Sequence, residues 1–222
     1  MDRLLELIEQ RRLRPGDTLP SERELMELYG VGRPAIREAI QNLSRVGIVT
    51  ITHGGRTRIA EPSVRLAVEQ MNLTARHVLT NSSASLDHLK EARLVFEMEM
   101  ARQAAIRQTA ASVRALRARV KEQAAEITNP ERFLACDGAF HREIARISGN
   151  PIFFAVSEAM FNWLSHFHIS LVRAPGLEQL TLSEHTHIVD AIEAGDPQAT
   201  ALAMQEHLTR ANNLYRQIER PE

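Results

Sequence analysis

The chain has 222 residues, 44% of them hydrophobic, which is enough to bury one large or two modest cores. Abundant Leu, Ala, Glu and Arg, with one Trp and two Tyr, favour a mainly helical protein. The formal net charge is −1, and the single cysteine, Cys136, excludes an intrachain disulfide. No apolar run approaches membrane-spanning length and no signal-peptide pattern opens the chain, so we predict a cytoplasmic protein.

The first predicted helix spans residues 2–12 and ends in the turn Arg14-Pro15-Gly16-Asp17. Its inner side carries Leu4, Leu5 and Ile8. This helix is expected to pack against the segment that follows.

Residues 19–45 predict two short helices joined by a glycine turn. Ser21 and Glu24 have the spacing of a capping box at the start of the first of these helices. Pro34 suits the first turn of the second, where its missing N–H is harmless. The inner residues are Leu25 and Leu28, then Ile36, Ala39, Ile40 and Leu43; the outer residues of the second helix are Arg33, Arg37, Gln41 and Arg45. A basic second helix is suited to the DNA major groove.

A predicted hairpin follows, with strands at 48–51 and 57–60 around a glycine-rich turn at 52–56. Residues 29–60 contain five arginines against Glu38 alone, a local charge of about +4. Scattered arginines usually mark a solvated helix face. Here they coincide with the turn and the hairpin, which favours a phosphate-binding surface.

The rest of the chain predicts helices separated by proline and glycine. Glu61-Pro62-Ser63 breaks the pattern, so we predict two domains, 1–62 and 63–222. The second domain is expected to be an all-α bundle of about seven helices. Their predicted bounds are 64–79, 86–107, 112–127, 130–147, 151–172, 177–194 and 197–218.

Four residues on the predicted helices of the second domain form a candidate ligand set for a divalent transition metal. Asp137 and His141 stand four apart and share one helix face, while His185 and His207 lie on the last two helices. One carboxylate and three imidazoles are suitable ligands for such an ion. The pattern alone is a weak signal, and we interpret His77, His88, His166 and His168 as surface or core residues.

Several separate motifs resemble the GntR family of bacterial winged-helix regulators. In the first quarter of the chain they are 19–25, Arg33-Pro34, Arg37-Glu38-Ala39 and His53-Gly54-Gly55. Later segments look like the FCD effector domain of the FadR branch, namely 137–141, 149–151, His185 ahead of 188–192, and 204–208. The resemblance implies an N-terminal winged helix-turn-helix of three helices plus a wing. In the family the first helix usually begins several residues earlier.

The resemblance also implies site residues. Arg23, Arg33 and Arg37 would contact operator DNA, and His53 and Gly54 would reach the minor groove from the wing tip. The metal ligands would be Asp137, His141, His185 and His207, with zinc the first choice and nickel or manganese the alternatives. His187 competes with His185 as a ligand, and we prefer His185 for its spacing to Ile188 and Ile192.

An effector is expected beside the metal. A divalent ion with three neutral imidazoles and one carboxylate keeps a charge of about +1, which attracts a carboxylate-bearing metabolite. By resemblance, Arg93 faces the cavity; Asn150 and His187 are further candidate contacts. Two alternatives stay open: Arg93 pairs with Glu97 on a solvated face, and Asn150 caps the helix that starts at Pro151.

Our leading hypothesis is a homodimeric, metabolite-responsive transcription factor, usually a repressor in this family, that binds double-stranded operator DNA. The chain resembles repressors of sialic-acid catabolism within this group, through 19–26, 31–34, 149–153 and 162–164. Those matches are mostly structural, so sialic acid, another sugar acid or another organic acid all remain candidate effectors. The alternatives are a metalloenzyme acting on a small acid, which we do not favour, and a regulator with a purely structural metal.

Overall fold

The computed structural model describes residues 1–52, 56–64, 66, 68, 72, 75, 77–79, 83–168 and 177–219. The chain divides into two compact units, Met1–Met71 and Asn72–Glu222. The predicted functional boundary after residue 62 stays a prediction. Within the described ranges, no helix is both long and apolar enough to cross a membrane.

Within residues 1–60, the described part of the first unit forms three helices and a two-stranded hairpin. They are α1 (Asp2–Gln10), α2 (Glu22–Tyr29), α3 (Arg33–Arg45), β1 (Val49–Thr50) and β2 (Arg58–Ile59). The strands are antiparallel, with Val49 opposite Ile59. Their core is made by buried apolar residues from every element: Leu4, Leu7, Leu19, Leu25, Ile36, Ile40, Leu43, Val49 and Ile59.

The predicted capping box at α2 is confirmed. The Ser21 Oγ accepts from the Glu24 backbone N–H at 3.3 Å, and the Ser21 N–H donates to the Glu24 carboxylate at 2.7 Å. The helix ends at Gly30, whose φ of +63° is the left-handed conformation that glycine adopts without strain. Pro34 lies in the first turn of α3, as predicted. These local signals fix the turn between α2 and α3.

Leu28 and the end of α1 were predicted wrongly in this unit. Leu28 is 53% exposed, whereas Leu25 of α2 is buried in the core and Met26 and Tyr29 pack against it. Helix α1 ends at Gln10 and not at residue 12, since Arg12 has a φ of +49° that a right-handed helix cannot continue. Leu7, which the sequence analysis left out, is buried with Leu4.

The second unit is helical throughout its described residues. Its helices are α4 (Ser83–Arg107), α5 (Ala110–Ala125), α6 (Pro130–Ile147), α7 (Pro151–His168), α8 (Glu178–Glu193) and α9 (Pro197–Glu219). Helix α4 begins at Ser83 and not at residue 86. Helix α5 begins two residues earlier than predicted, because Thr109 and Ser112 form a capping box. Of the predicted helix 64–79, the described residues 64, 66, 68, 72, 75 and 77–79 are helical, and the others lie outside the described residues, as do residues 169–172.

Helix α4 packs against four of the other helices in this unit, α6, α7, α8 and α9. Helix α6 also contacts α5 and α7, and α8 packs against α5 and α9. The shared core includes Phe140 and Ile144 of α6, Ile188 of α8 and Met204 of α9, all at most 1% exposed. The mainly helical fold predicted from composition is thus confirmed, and the core lies where α6, α8 and α9 meet.

Candidate metal centre and nucleic-acid interface

Four polar side chains converge inside this helical core. Asp137 and His141 come from α6, one turn apart, while His185 comes from α8 and His207 from α9. One ligand atom from each lies within 4.8 Å of all the others. The three imidazoles are at most 4% exposed, and the Asp137 side chain is 16% exposed. We call these residues the four-residue cluster.

The donor atoms that face one another are the Nε2 atoms and the Asp137 oxygens. His185 Nε2 lies 3.3 Å from His207 Nε2 and 3.4 Å from Asp137 Oδ1. His141 Nε2 lies 3.8 Å from Asp137 Oδ2. Donors that share one ion at about 2.0 to 2.2 Å lie about 3 to 4 Å from one another. The measured spacings therefore match a common ion after small side-chain movements.

The opposite ring nitrogen of each imidazole meets a polar partner from another residue. His185 Nδ1 lies 2.8 Å from Gln123 Oε1, and His207 Nδ1 lies 2.7 Å from a Glu184 carboxylate oxygen. His141 Nδ1 contacts the Glu97 carboxylate. Such outer partners orient the ligand rings in metal sites.

These partners determine which ring nitrogen carries the proton. Gln123 Nε2 donates to Asp137 Oδ1 at 3.3 Å, because a carboxylate can only accept. Its carbonyl therefore faces His185 Nδ1, which must donate. Glu184 also only accepts, so His207 donates from Nδ1. Burial lowers the pKa of both imidazoles, which keeps them neutral and leaves their Nε2 lone pairs facing one another.

Two bare nitrogen lone pairs 3.3 Å apart repel in a buried site unless a cation lies between them. His141 Nε2 is also buried and has no hydrogen-bond partner among the described residues. A carboxylate completes the set. The residues therefore fit a divalent ion held by three imidazoles and one carboxylate.

Glu97 joins the cluster to Arg93 through a buried ion pair. Arg93 is 8% and Glu97 is 4% exposed, so the alternative of a pair on a solvated face was wrong about the environment. Burial raises the pKa of Glu97, but the Arg93 guanidinium and His141 outweigh this effect and hold that pKa at about 2. The Arg93 guanidinium also lies 4.5 Å from the centre of the Phe161 ring.

Sequence reasoning missed Gln123, Glu184 and the contact between Glu97 and His141. Glu184 directly precedes a candidate ligand, which is the one signal that could have suggested it. Gln123 lies 62 residues before His185, and its role follows only from the packing of α5 against α8.

Replacing Gln123 with methionine is expected to lower metal affinity about 10- to 100-fold, because His185 and Asp137 each lose an orienting hydrogen bond. Competition with a chromogenic chelator measures this. The matched control is Gln103→Met on α4, whose amide donates to Glu99 one turn earlier in the same helix. Equal affinity in the two variants would contradict the orienting role.

Asn150 and His187, two predicted effector contacts, do not belong to the four-residue cluster. Asn150 Oδ1 accepts from the Ile152 N–H at 2.9 Å, which is the helix-capping alternative. His187 is exposed on α8, whereas His185, two residues earlier, is fully buried. The structure brings His185 and not His187 into the cluster. A contact of either Asn150 or His187 with an effector stays a prediction.

The predicted DNA-contacting arginines of the first unit are exposed. Arg37 Nε donates to the Glu22 carboxylate at 2.9 Å, and Arg33 Nε lies 3.6 Å from the same group. Arg23 pairs with Glu27 at 3.0 Å. Exposed pairs of this kind contribute little stability, so the guanidinium groups can exchange carboxylate for DNA. His53 and Gly54 lie outside the described residues.

Comparison with known proteins supplies independent findings. Residues 1–59 match the model of the "Bacterial regulatory proteins, gntR family", and residues 88–210 match that of the "FCD domain". The chain is 34% identical over 209 residues to the "HTH-type transcriptional repressor NanR" of Cronobacter sakazakii, covering 93% of this chain and 80% of that protein. The Escherichia coli K12 protein of the same name is 34% identical over 215 residues, covering 93% and 79%.

Solved structures show the same fold. "Streptococcus agalactiae GntR" aligns with a TM-score of 0.58 and 25% identity, covering 96% of this chain and 97% of that one. "E. coli McbR/YncC" aligns with a TM-score of 0.58 and 16% identity, covering 94% and 91%. At that identity, the second likeness concerns the fold alone.

Proposed function

We propose, since this chain belongs to the GntR family of bacterial regulatory proteins with an FCD domain, that a metal-held carboxylate effector controls its binding to operator DNA. The chain is a metabolite-responsive, DNA-binding transcriptional regulator and not an enzyme. We propose the site at which the regulator binds its metabolite, the chemistry of that site and the residues that form it.

The observation that carries the proposal is the meeting of bare Nε2 lone pairs in a buried site. Asp137, His141, His185 and His207 would hold a divalent ion there, with zinc the first choice and nickel or manganese the alternatives. When bound, the ion supplies a net positive charge and coordination positions for a carboxylate. Gln123, Glu184 and Glu97 keep the imidazoles turned toward it.

The effector proposed here is a small carboxylic acid, either sialic acid, another sugar acid or another organic acid. Two relatives carry the name of a transcriptional repressor, which supports repression as the output. In the proposed regulator, bound acid selects one arrangement of the protein, and that arrangement has a different affinity for the operator. A ligand with equal affinity for both arrangements would have no effect.

The DNA-binding surface is proposed to be the exposed side of α3 with Arg33 and Arg37, helped by Arg23 and by His53 and Gly54 of the wing. A guanidinium matches the O6 and N7 acceptors of guanine in the major groove. We propose a homodimer whose two α3 helices bind half-sites about one helical turn apart. With operator DNA as its partner, the protein is proposed to act in the cytoplasm.

A thermal-shift screen tests the effector site. Metal-loaded and chelator-stripped protein are heated with sialic acid, other sugar acids and small organic acids, each beside its methyl ester. An acid at about 100 times its dissociation constant is expected to stabilise the loaded protein by about 2.7 kcal/mol. The esters and the stripped protein should show no shift. Stabilisation by metal with no response to any acid would instead favour a purely structural metal.

A further inference from the structure

Two arginines of the second unit, Arg93 and Arg142, lie close to residues of the four-residue cluster or to their direct neighbours. Arg93, which the family resemblance assigned to the effector, already forms a buried ion pair with Glu97. Its charge is therefore balanced inside the core before any ligand arrives. A second positive group is needed if an arginine is to add to the attraction of the metal.

Arg142 lies beside the four-residue cluster on the same helix. Asp137 and His141 lie on one face of α6. Gly138 directly follows Asp137, and Arg142 directly follows His141. Arg142 is half-buried, and it interacts electrostatically with Glu158 and Asp137. Yet no hydrogen bond or ion pair among the described residues involves its guanidinium, so its donors are available to a ligand.

Gly138 leaves space for that guanidinium. A Cβ at this position would lie 2.9 Å from Arg142 Nη1 and 3.1 Å from the Phe161 ring. Glycine is a poorer helix former than alanine, and Gly138 lies in the middle of an 18-residue helix. The absence of a side chain at Gly138 thus leaves room for the Arg142 guanidinium next to Phe161.

The Phe161 ring lies beside Gly138, Arg93 and the cluster. Its ring centre lies 5.1 Å from that of His141 and 4.5 Å from the Arg93 guanidinium carbon. Asp137 is the one partly exposed member of the cluster, with 16% of its side chain exposed. Gly138 directly follows Asp137 on α6, and Arg142 Nη1 lies against Gly138.

We propose that Arg142 binds the carboxylate of the effector at the entrance to the metal cluster, and that Gly138 is a positioning residue that gives Arg142 its place. This inference rests on the proposed function, since it assumes a carboxylate that approaches a metal held by Asp137, His141, His185 and His207. The acid is then bound by the Arg142 guanidinium, which takes no part in the buried ion pair between Arg93 and Glu97.

The test uses Co²⁺-loaded full-length protein and acetate as the probe, followed by the visible absorption of the cobalt ion. Arg142→Gln is expected to weaken acetate binding about tenfold or more, since a charge-assisted hydrogen bond is lost. The matched control is Arg146→Gln, one turn further along α6, whose side chain is 56% exposed and pairs with Glu143. It should bind acetate as the unmodified protein does.

Gly138→Ala is the second variant. Its methyl group takes the space of Arg142 Nη1, the end of a flexible side chain, and moves the Phe161 ring by a few tenths of an ångström. The protein should therefore fold and keep its cobalt, which the cobalt spectrum checks, while acetate binding weakens as in Arg142→Gln. Equal acetate affinity in Arg142→Gln and in unmodified protein would overturn the inference. So would an equal loss in Arg146→Gln, or no acetate binding to cobalt-loaded unmodified protein. Failure of unmodified protein to bind cobalt would instead contradict the proposed metal site itself.

Discussion

Replacing Arg37 with alanine is expected to abolish specific operator binding while the metal content stays unchanged. Arg37 is exposed on α3, where it is held by Glu22. Losing one base-reading arginine costs about 1 to 3 kcal/mol per half-site. A dimer would lose about twice that, which is about 30-fold in affinity or more. Fluorescence anisotropy at fixed salt, with an operator selected from random DNA by the unmodified protein, measures the change.

Arg45→Ala is the matched control, because Arg45 is exposed near the end of the same helix and bonds Asn42. We expect it to leave sequence preference intact and to change affinity little. Elemental analysis of both variants should return the metal content of the unmodified protein. Unchanged operator affinity in Arg37→Ala, or an equal loss in both variants, would contradict the role assigned to Arg37.

Replacing His185 with alanine is expected to remove the metal. The substitution deletes a fully buried ligand and leaves Gln123 without its partner ring. In unmodified protein, metal at about 1,000 times its dissociation constant should stabilise the fold by about 4 kcal/mol. For a chain of this length, that is about 8 to 16 °C in melting temperature. His185→Ala should show neither the bound metal nor the shift.

His187→Ala is a close control for this experiment, since His187 lies on the same helix two residues away and is exposed. It should bind one metal per chain and show the full thermal shift. Metal retained in His185→Ala, or lost in His187→Ala, would reverse the choice between the two histidines. Native mass spectrometry of each protein reports metal content and oligomeric state together.

Local sequence signals were sufficient for most of the helices. Capping residues and prolines act within one turn, so the starts of α2 and α6 were predicted at Glu22 and Pro130. Two helix ends were predicted wrongly for different local reasons. Thr109 caps α5, so this helix starts earlier than predicted, and the positive φ of Arg12 prevents α1 from continuing. Burial of Leu7 and exposure of Leu28 depended on tertiary packing.

The candidate site was predicted only where helical spacing or family resemblance applied. Asp137 and His141 share a face because they stand one turn apart. For His185 and His207, residue type gave only a weak signal that the resemblance strengthened, since their approach depends on the packing of α8 and α9. The residues that orient the rings could not be predicted, because Gln123 and Glu97 reach the cluster from other helices. Nor does sequence reveal that the Arg93–Glu97 pair is buried.

We expect the binding of metal, acid and operator DNA to be energetically coupled. The direct measurement is the operator dissociation constant of metal-loaded protein with and without an acid that the thermal screen shows to bind. We expect that constant to change at least about fivefold. The change should disappear in chelator-stripped protein and in His185→Ala. An acid that binds the loaded protein but leaves operator affinity unchanged would contradict the claim that the metal cluster is the input of the switch.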